Sequence, residues 1–155
     1  MKRSAYIFAA LFVWCLLERP APADMTEPSA KVRSASFEAG RKAVEAKDFK
    51  AALAPLAKAA QETPNDADVQ NLLGYSYRKL GDFDKAMEYY RLALKIEPNH
   101  RGAHEYMGEL HLEQDRLADA EKELQALSKA CPWFGKCEEY EDLKAAIAKY
   151  KADKK

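Results

Sequence analysis

Residues 67–100 read ADVQNLLGYSYRKLGDFDKAMEYYRLALKIEPNH, and this stretch of 34 residues decides the fold because a copy of it lies on either side. Shifting the sequence by 34 positions aligns three glycines, three alanines and three prolines: Gly40, Gly74 and Gly108; Ala52, Ala86 and Ala120; Pro64, Pro98 and Pro132. A fixed period of about 20 to 50 residues is typical of repeat proteins, in which each unit buries its apolar face against its neighbours. The sequence therefore predicts three repeats, at residues 33–66, 67–100 and 101–134.

Each repeat is predicted to contain two helices. In the second repeat, the apolar residues from Leu72 to Leu80 fall at helical spacing. Gly81 then ends the first helix, and Asp82 starts the next one as its N-cap. The residue before Pro98 avoids the helical region, so the second helix ends there.

The first repeat is predicted to follow the same plan, with helices near residues 30–46 and 50–61. Ser29 is the expected N-cap of the earlier helix. Pro55 lies inside the later helix, where proline removes a backbone hydrogen bond. We therefore expect a kink or a later helix start at that position.

Both ends of the chain differ from the repeats. Residues 135–155 are predicted to form a capping helix and tail, because apolar residues from Tyr140 to Tyr150 make one stripe that can cover the third repeat. Residues 1–23 combine a basic start, an apolar run and small residues near Ala23, which is the layout of a secretory signal peptide. An uncleaved anchor is the alternative. Residues 24–32 are expected to be a linker.

The composition excludes some partners and favours export. The whole chain has 25 basic and 25 acidic residues, so a nucleic-acid surface is not expected. Removing residues 1–23 leaves 22 basic and 24 acidic residues, and leaves Cys131 and Cys137 as the only thiols. An even pair of cysteines in an exported chain predicts a disulfide. We therefore expect a secreted protein, located in the periplasm after cleavage near Ala23.

The second repeat resembles the tetratricopeptide repeat through Leu73-Gly74, Tyr77, Ala86, Tyr90, Ala93 and Pro98. The tryptophan of that pattern is replaced by Gln70. The resemblance implies an all-α, right-handed solenoid of three helix pairs with a C-terminal capping helix. It also implies a concave groove, lined by the first helix of each pair, that holds a peptide or a partner helix.

The same register assigns side chains to the groove, and these are the predicted partner-binding positions: Phe37, Arg41 and Val44; Asn71, Tyr75 and Arg78; Glu105, Glu109 and Leu112. Their charge runs from basic in the first two repeats to acidic in the third, which would orient a partner with one acidic and one basic end. The alternative is that they are ordinary solvated helix faces. We expect substitutions at Asn71, Tyr75 and Arg78 to change partner binding and to leave the fold intact.

Some family members hold a peptide carboxylate with a set of lysine, asparagine and arginine side chains. The matching positions here are occupied by other residues: Phe37, Arg41, Leu72, Gly102 and Tyr106. The resemblance therefore predicts no recognition of chaperone tails of that type.

No catalytic set, cofactor site or metal site can be assembled from the sequence, so we expect a scaffold or adaptor without enzymatic activity. His100, His104 and His111 are spaced along a helix, and we expect them to be packing residues rather than metal ligands. Two alternatives stay open. One is a redox or assembly factor acting through Cys131 and Cys137, and the other is a self-associating envelope component.

Overall fold

The computed structural model describes residues 33–132 and 136–154, and every described element is a helix. Residues 1–32, 133–135 and 155 lie outside the described residues. The predicted signal peptide, linker and Ser29 cap, and the aromatic pair Trp133-Phe134, therefore lie outside the described part of the chain. The described residues form seven helices: α1 (Ala35–Glu45), α2 (Phe49–Glu62), α3 (Ala67–Lys79), α4 (Phe83–Ile96), α5 (Arg101–Glu113), α6 (Leu117–Ala130) and α7 (Glu138–Asp153).

The all-α prediction is confirmed, and the 34-residue period reappears in the turns. Lys47, Gly81 and Asp115 each adopt a left-handed backbone conformation, with φ of 59°, 81° and 57°. Only the middle position is a glycine, the residue that adopts this conformation without steric cost. The turn geometry is therefore common to all three repeats, although the glycine signal is present in one.

The helices of the first repeat differ from the prediction near residue 30 and at Pro55. Helix α1 begins at Ala35 rather than near residue 30, because the Ser34 hydroxyl accepts a hydrogen bond from the Phe37 N–H and caps the helix. Helix α2 begins at Phe49 and runs without interruption through Pro55. The expected later start at Pro55 is therefore wrong. The Asp48 carboxylate, which accepts from the Ala51 N–H at 3.0 Å, fixes the start of α2 instead.

The core joins each helix pair to the next one. One buried cluster combines Leu56 of α2 with Leu73 of α3, and another combines Tyr90 of α4 with Leu110 of α5. Close approach within a pair depends on glycine: a Cβ atom built on Gly74 would lie 2.6 Å from the Tyr90 ring. Because apolar surface is shared across repeats, no single repeat can bury its core alone.

Helix α7 closes the array. Leu143 and Ile147 of α7 join the same buried cluster as Leu112 of α5 and Leu127 of α6. Helix α7 packs on both α5 and α6, as the first helix of a further repeat would. The described helices include none that is long and apolar enough to cross a membrane.

The contacts between helices also define an inner side of the array. The first helices touch in succession, α1 with α3, α3 with α5, and α5 with α7. Among the described helices, α2, α4 and α6 make no such contacts with one another. The side formed by α1, α3, α5 and α7 is therefore the more tightly curved one, and we call it the inner side.

Candidate partner-binding groove

Several polar side chains are buried in the helical array. Helices α3 and α5 contribute seven of them: Gln70, Asn71, Ser76, Arg78, His104, Glu105 and His111. Buried polar groups are normally hydrogen-bonded, because a polar atom that loses water without gaining a partner raises the free energy of the fold. Which of these groups are paired within the chain therefore indicates where a ligand could act.

The first repeat offers less to a partner than its register predicts. Phe37 is only 5% exposed and packs in the core with Leu56, so the structure removes it from the residues available to a partner. Arg41 is partly exposed and forms ion pairs with Glu38 and Glu45 of its own helix. The positive charge predicted for this part of the groove is therefore neutralised by acidic residues of α1.

Tyr75 of α3 lies between the aromatic rings of Phe49 of α2 and Tyr106 of α5. Its ring centroid is 5.7 Å from that of Phe49 and 4.7 Å from that of Tyr106. The Lys79 ammonium lies 5.2 Å from the Tyr75 centroid, within the range of a cation–π contact. Tyr75 is partly exposed, so part of its side chain can contact a bound chain while its neighbours hold the ring in place.

Arg78 is a bridge between repeats rather than a free groove residue. Its guanidinium, 6% exposed, donates to Glu109 at 2.5 Å and to Glu113 at 2.6 Å. Burial works against the charged guanidinium, but the bonds to Glu113 and Glu109 outweigh it and hold the pKa of Arg78 above its usual value. The expectation that Arg78 can be replaced without cost to the fold does not fit this geometry.

Glu105 is a buried acidic residue of the groove that has no positively charged partner in the described part of the chain. It is 9% exposed, and it makes no hydrogen bond or ion pair with the described residues. Burial raises its pKa to about 8, and the negative charges of Glu109, Asp142 and Glu139 add to the shift. In the absence of a cation, Glu105 is therefore mainly protonated at neutral pH.

Asn71 has a similarly unpaired atom. Its side chain is buried, and its Oδ1 has no hydrogen-bond partner within the described part of the chain. Its Nδ2 lies 3.0 Å from the position that a Cβ atom on Gly102 would occupy, so the amide faces α5. Gly102 and Glu105 are one helical turn apart, which places the amide and the carboxyl group on neighbouring parts of the same wall.

An open cavity of about 360 Å³ lies between α3, α5 and α7, near the C-terminal ends of these helices. Its walls combine the Arg78 bridge with side chains of the capping helix: Ala146, Lys149, Tyr150 and Asp153. The capping helix therefore contributes to the groove as well as to stability. The sequence favoured a stability role for this helix over a binding role.

Two of the three histidines have hydrogen-bond partners, whereas the buried Nδ1 of His111 has none among the described residues. His100 caps α5 by accepting from the Ala103 N–H at 3.0 Å, and His104 lies 2.6 Å from Glu123. Among the described residues, no three His, Cys, Asp or Glu side chains come together as a metal site would require. Cys131 at the end of α6 and Cys137 at the start of α7 have Cα atoms 5.8 Å apart, a distance compatible with the predicted disulfide.

Sequence reasoning missed several groove residues. Tyr106 packs against Tyr75, and Glu139 and Asp142 of α7 lie close enough to Glu105 to influence its charge. The repeat register assigns no groove positions to α7, because this helix does not follow the 34-residue pattern. Its position became clear only from its packing on α5.

Comparison with protein families supports one repeat directly. A tetratricopeptide repeat profile matches residues 67–100. No curated protein sequence matches the chain.

Solved structures resemble the whole helical array. The TPR2B domain of yeast Sti1, in a complex described with Hsp70, superposes with a TM-score of 0.69 at 16% identity, covering 76% of this chain and 94% of that one. The Yersinia enterocolitica type III secretion chaperone SycD, solved with a peptide of the translocator YopD, gives a TM-score of 0.67 at 15% identity, covering 77% and 92%. MamA from Desulfovibrio magneticus gives 0.60 at 23% identity, covering 64% and 56%. At these identities the likeness concerns the fold.

Proposed function

We propose that this chain, which carries a tetratricopeptide repeat and folds as proteins of that family do, binds a segment of another protein along its inner side and catalyses no reaction. The observation that carries the proposal is the pair of buried, unpaired polar groups on that side, Asn71 Oδ1 and the Glu105 carboxyl group. A chain bound there could supply the missing hydrogen bonds. The partly exposed side chain of Tyr75 would add apolar contact area.

Two of the similar structures support a polypeptide as the ligand. The yeast Sti1 domain is described in a complex with Hsp70, and SycD with a peptide of YopD. The partner of the present chain is expected to differ from a chaperone tail that ends in a clamped carboxylate, because Leu72, Gly102 and Tyr106 replace polar or basic clamp residues. The local charge near Glu105 also disfavours a carboxylate.

We also propose that the protein acts outside the cytoplasm, in the periplasm, as a scaffold or adaptor of the cell envelope. The support is the signal-like composition of residues 1–23 and the pair of cysteines that remains after their removal. Sequencing the N-terminus of the protein purified from its native cells tests the location. A mature chain that begins near Asp24 is expected, whereas an intact Met1 would overturn the cleavage.

Site-resolved photocrosslinking in the native cells tests the binding proposal. A benzoylphenylalanine is introduced in place of Arg41 or Glu109 on the inner side, and in place of Glu88 or Lys129 on the exposed surfaces of α4 and α6. We expect the same partner to be trapped from both inner positions and from neither outer position. Equal trapping from both surfaces, or trapping from the outer positions only, would show that the groove is the wrong surface.

A further inference from the structure

Glu105 lacks an internal partner in an environment that penalises an isolated charge. Its side chain is more than nine-tenths buried on α5, and the described residues offer it no hydrogen bond and no ion pair. The nearest charges of the same helix and of α7 are negative: Glu109, Glu139 and Asp142. A carboxylate in such a place is stabilised only by a proton or by a cation brought from outside.

The cations of the protein that lie near this place are already engaged. Arg78 of α3 is held by Glu109 and Glu113, with contacts of 2.5 and 2.6 Å. Arg101, one helical turn before Glu105, lies 3.5 Å from Glu139. Neither cation is within ion-pair distance of Glu105, so the positive charge that would balance it is not supplied by these side chains.

Asn71 provides a second and independent observation on the facing helix. Its buried Oδ1 accepts no hydrogen bond, and its amide lies against Gly102, one turn before Glu105. An unsatisfied amide oxygen and a carboxyl group without an ion pair, on the adjacent helices α3 and α5, match a donor that carries several N–H groups. An ammonium has three such donors and a guanidinium has five.

We propose that Asn71 and Glu105 form a subsite of the groove that takes up one lysine or arginine side chain of the bound polypeptide. The inference rests on the proposed function, because it treats the ligand as a protein segment. The aromatic rings of Tyr75 and Tyr106, whose centroids are 4.7 Å apart, would cover the aliphatic part of that side chain. The subsite also gives the partner a direction, since its basic residue must lie at the third repeat.

Occupation of the subsite is coupled to a proton. The Glu105 carboxyl group faces Glu109 and Tyr106 from α5, Arg78 and Tyr75 from α3, and Glu139 and Asp142 from α7. An incoming cation favours the ionised carboxylate, so binding releases the proton that Glu105 holds in the free protein. As pH rises toward the pKa of the free carboxyl group, affinity for the cation should therefore increase by up to about tenfold per pH unit.

The test follows the carboxyl ¹³C resonance of Glu105 in the whole protein while capped lysine, N-acetyl-lysine methylamide, is added. We expect the pKa of Glu105 to fall from about 8 when the amino acid binds. Capped norleucine has the same aliphatic side chain without the ammonium, and it should leave that pKa unchanged. A pKa that does not respond to lysine, or that responds equally to norleucine, overturns the subsite.

Matched variants separate the subsite from general attraction to an acidic surface. Glu105→Gln keeps the shape and removes the charge, and it should weaken binding of capped lysine by about tenfold or more. Glu88→Gln removes an exposed carboxylate of α4 and should leave binding unchanged. Equal effects of the two substitutions overturn the proposal.

Two further arms identify the source of the cation. Putrescine and calcium ions are titrated in the same way. If either lowers the pKa of Glu105 at concentrations where capped lysine does not, the proposal that the ligand is a side chain is wrong. If capped lysine fails while inner-side crosslinking still traps a partner, the subsite is wrong and the proposed function stands. If capped lysine binds while no inner position traps a partner, the proposed function is wrong.

Discussion

Single residues of the inner side differ in whether their polar atoms are paired within the chain. Arg78 is paired with two carboxylates, whereas Glu105 and Asn71 Oδ1 have no hydrogen-bond or ion-pair partner in the described part of the chain. This difference separates residues that hold repeats together from residues that could contact a ligand. Position in the repeat does not reveal it, because Asn71, Arg78 and Glu105 all occupy predicted groove positions.

Glu105→Gln should stabilise the protein, and the gain should depend on pH. The pKa of Glu105 is about 8 in the folded chain and near 4.5 in the unfolded one, so the unfolded chain releases the proton first as pH rises. The wild-type protein therefore loses stability relative to the variant between these values, on the order of 2 to 3 kcal/mol from pH 5 to pH 7. Urea unfolding of both proteins at each pH measures the difference. A difference that stays constant over this range would contradict the raised pKa.

The pairing state of these residues could not be predicted from the sequence. Arg78 and its two acceptors are 31 and 35 residues apart, and their meeting depends on the offset between consecutive repeats. The burial of Phe37 is missed for a related reason. Its register position is that of a groove residue, but Arg33 lies 4.4 Å from its ring centroid and the ring belongs to the buried cluster that contains Leu56.

At the scale of helices, contacts between successive first helices shape the inner side. The Arg78 bridge joins α3 to α5, and the packing of Gly108 on Leu143 joins α5 to α7. These contacts are polar in one case and apolar in the other, so substitutions should affect them differently.

Arg78→Met should destabilise the fold. It keeps much of the side-chain volume but leaves Glu109 and Glu113 near each other without a counter-charge, and we expect a loss of about 2 kcal/mol. Arg116→Met is the matched control, because it breaks an exposed ion pair with Asp119 and should cost less than about 0.5 kcal/mol. Chemical denaturation measures both. Similar losses for the two variants would mean that the bridge contributes no more than a surface pair.

The loop before α7 gives a second prediction at this scale. We expect the native protein, isolated from its own compartment with thiols blocked, to show no free thiol at Cys131 or Cys137. A structural disulfide explains this result, because it closes a loop and restrains the unfolded chain. Reaction of both cysteines with a thiol reagent in the folded protein would instead favour the redox alternative.

The described part of the chain is a set of three helix pairs whose open end is covered by α7. Leu143 is fully buried in the cluster shared by α5, α6 and α7. Because a solenoid is stabilised by its neighbouring interfaces, loosening this end should spread to the third repeat first.

Leu143→Ala should lower the free energy of unfolding by about 3 kcal/mol through loss of buried apolar contact and the cavity left behind. Leu92→Ala, at an exposed position of α4, should change it by less than about 1 kcal/mol. Hydrogen exchange should accelerate in α5 and α6 of the former variant more than in α1 and α2. Uniform acceleration would contradict a locally capped array.

The architecture was largely predictable from the sequence, because one period fixes helix pairs, turns and register together. Lys47 and Asp115 adopt the same left-handed conformation as Gly81, 34 residues away in each direction, although neither is a glycine. What the period could not provide is the role of α7 in the groove. This helix lies outside the repeat pattern, so Lys149 and Tyr150 carry no register that would mark them as wall residues.

The central claim is that a polypeptide occupies the inner side. The segment trapped by crosslinking, made as a synthetic peptide and titrated into the ¹⁵N-labelled protein, tests that claim most directly. We expect saturable shifts of amide resonances in α3 and α5, with α2, α4 and α6 little changed and with a slower exchange of the Asn71 side-chain amide. Shifts confined to α2, α4 and α6, or shifts that do not saturate, would contradict the account.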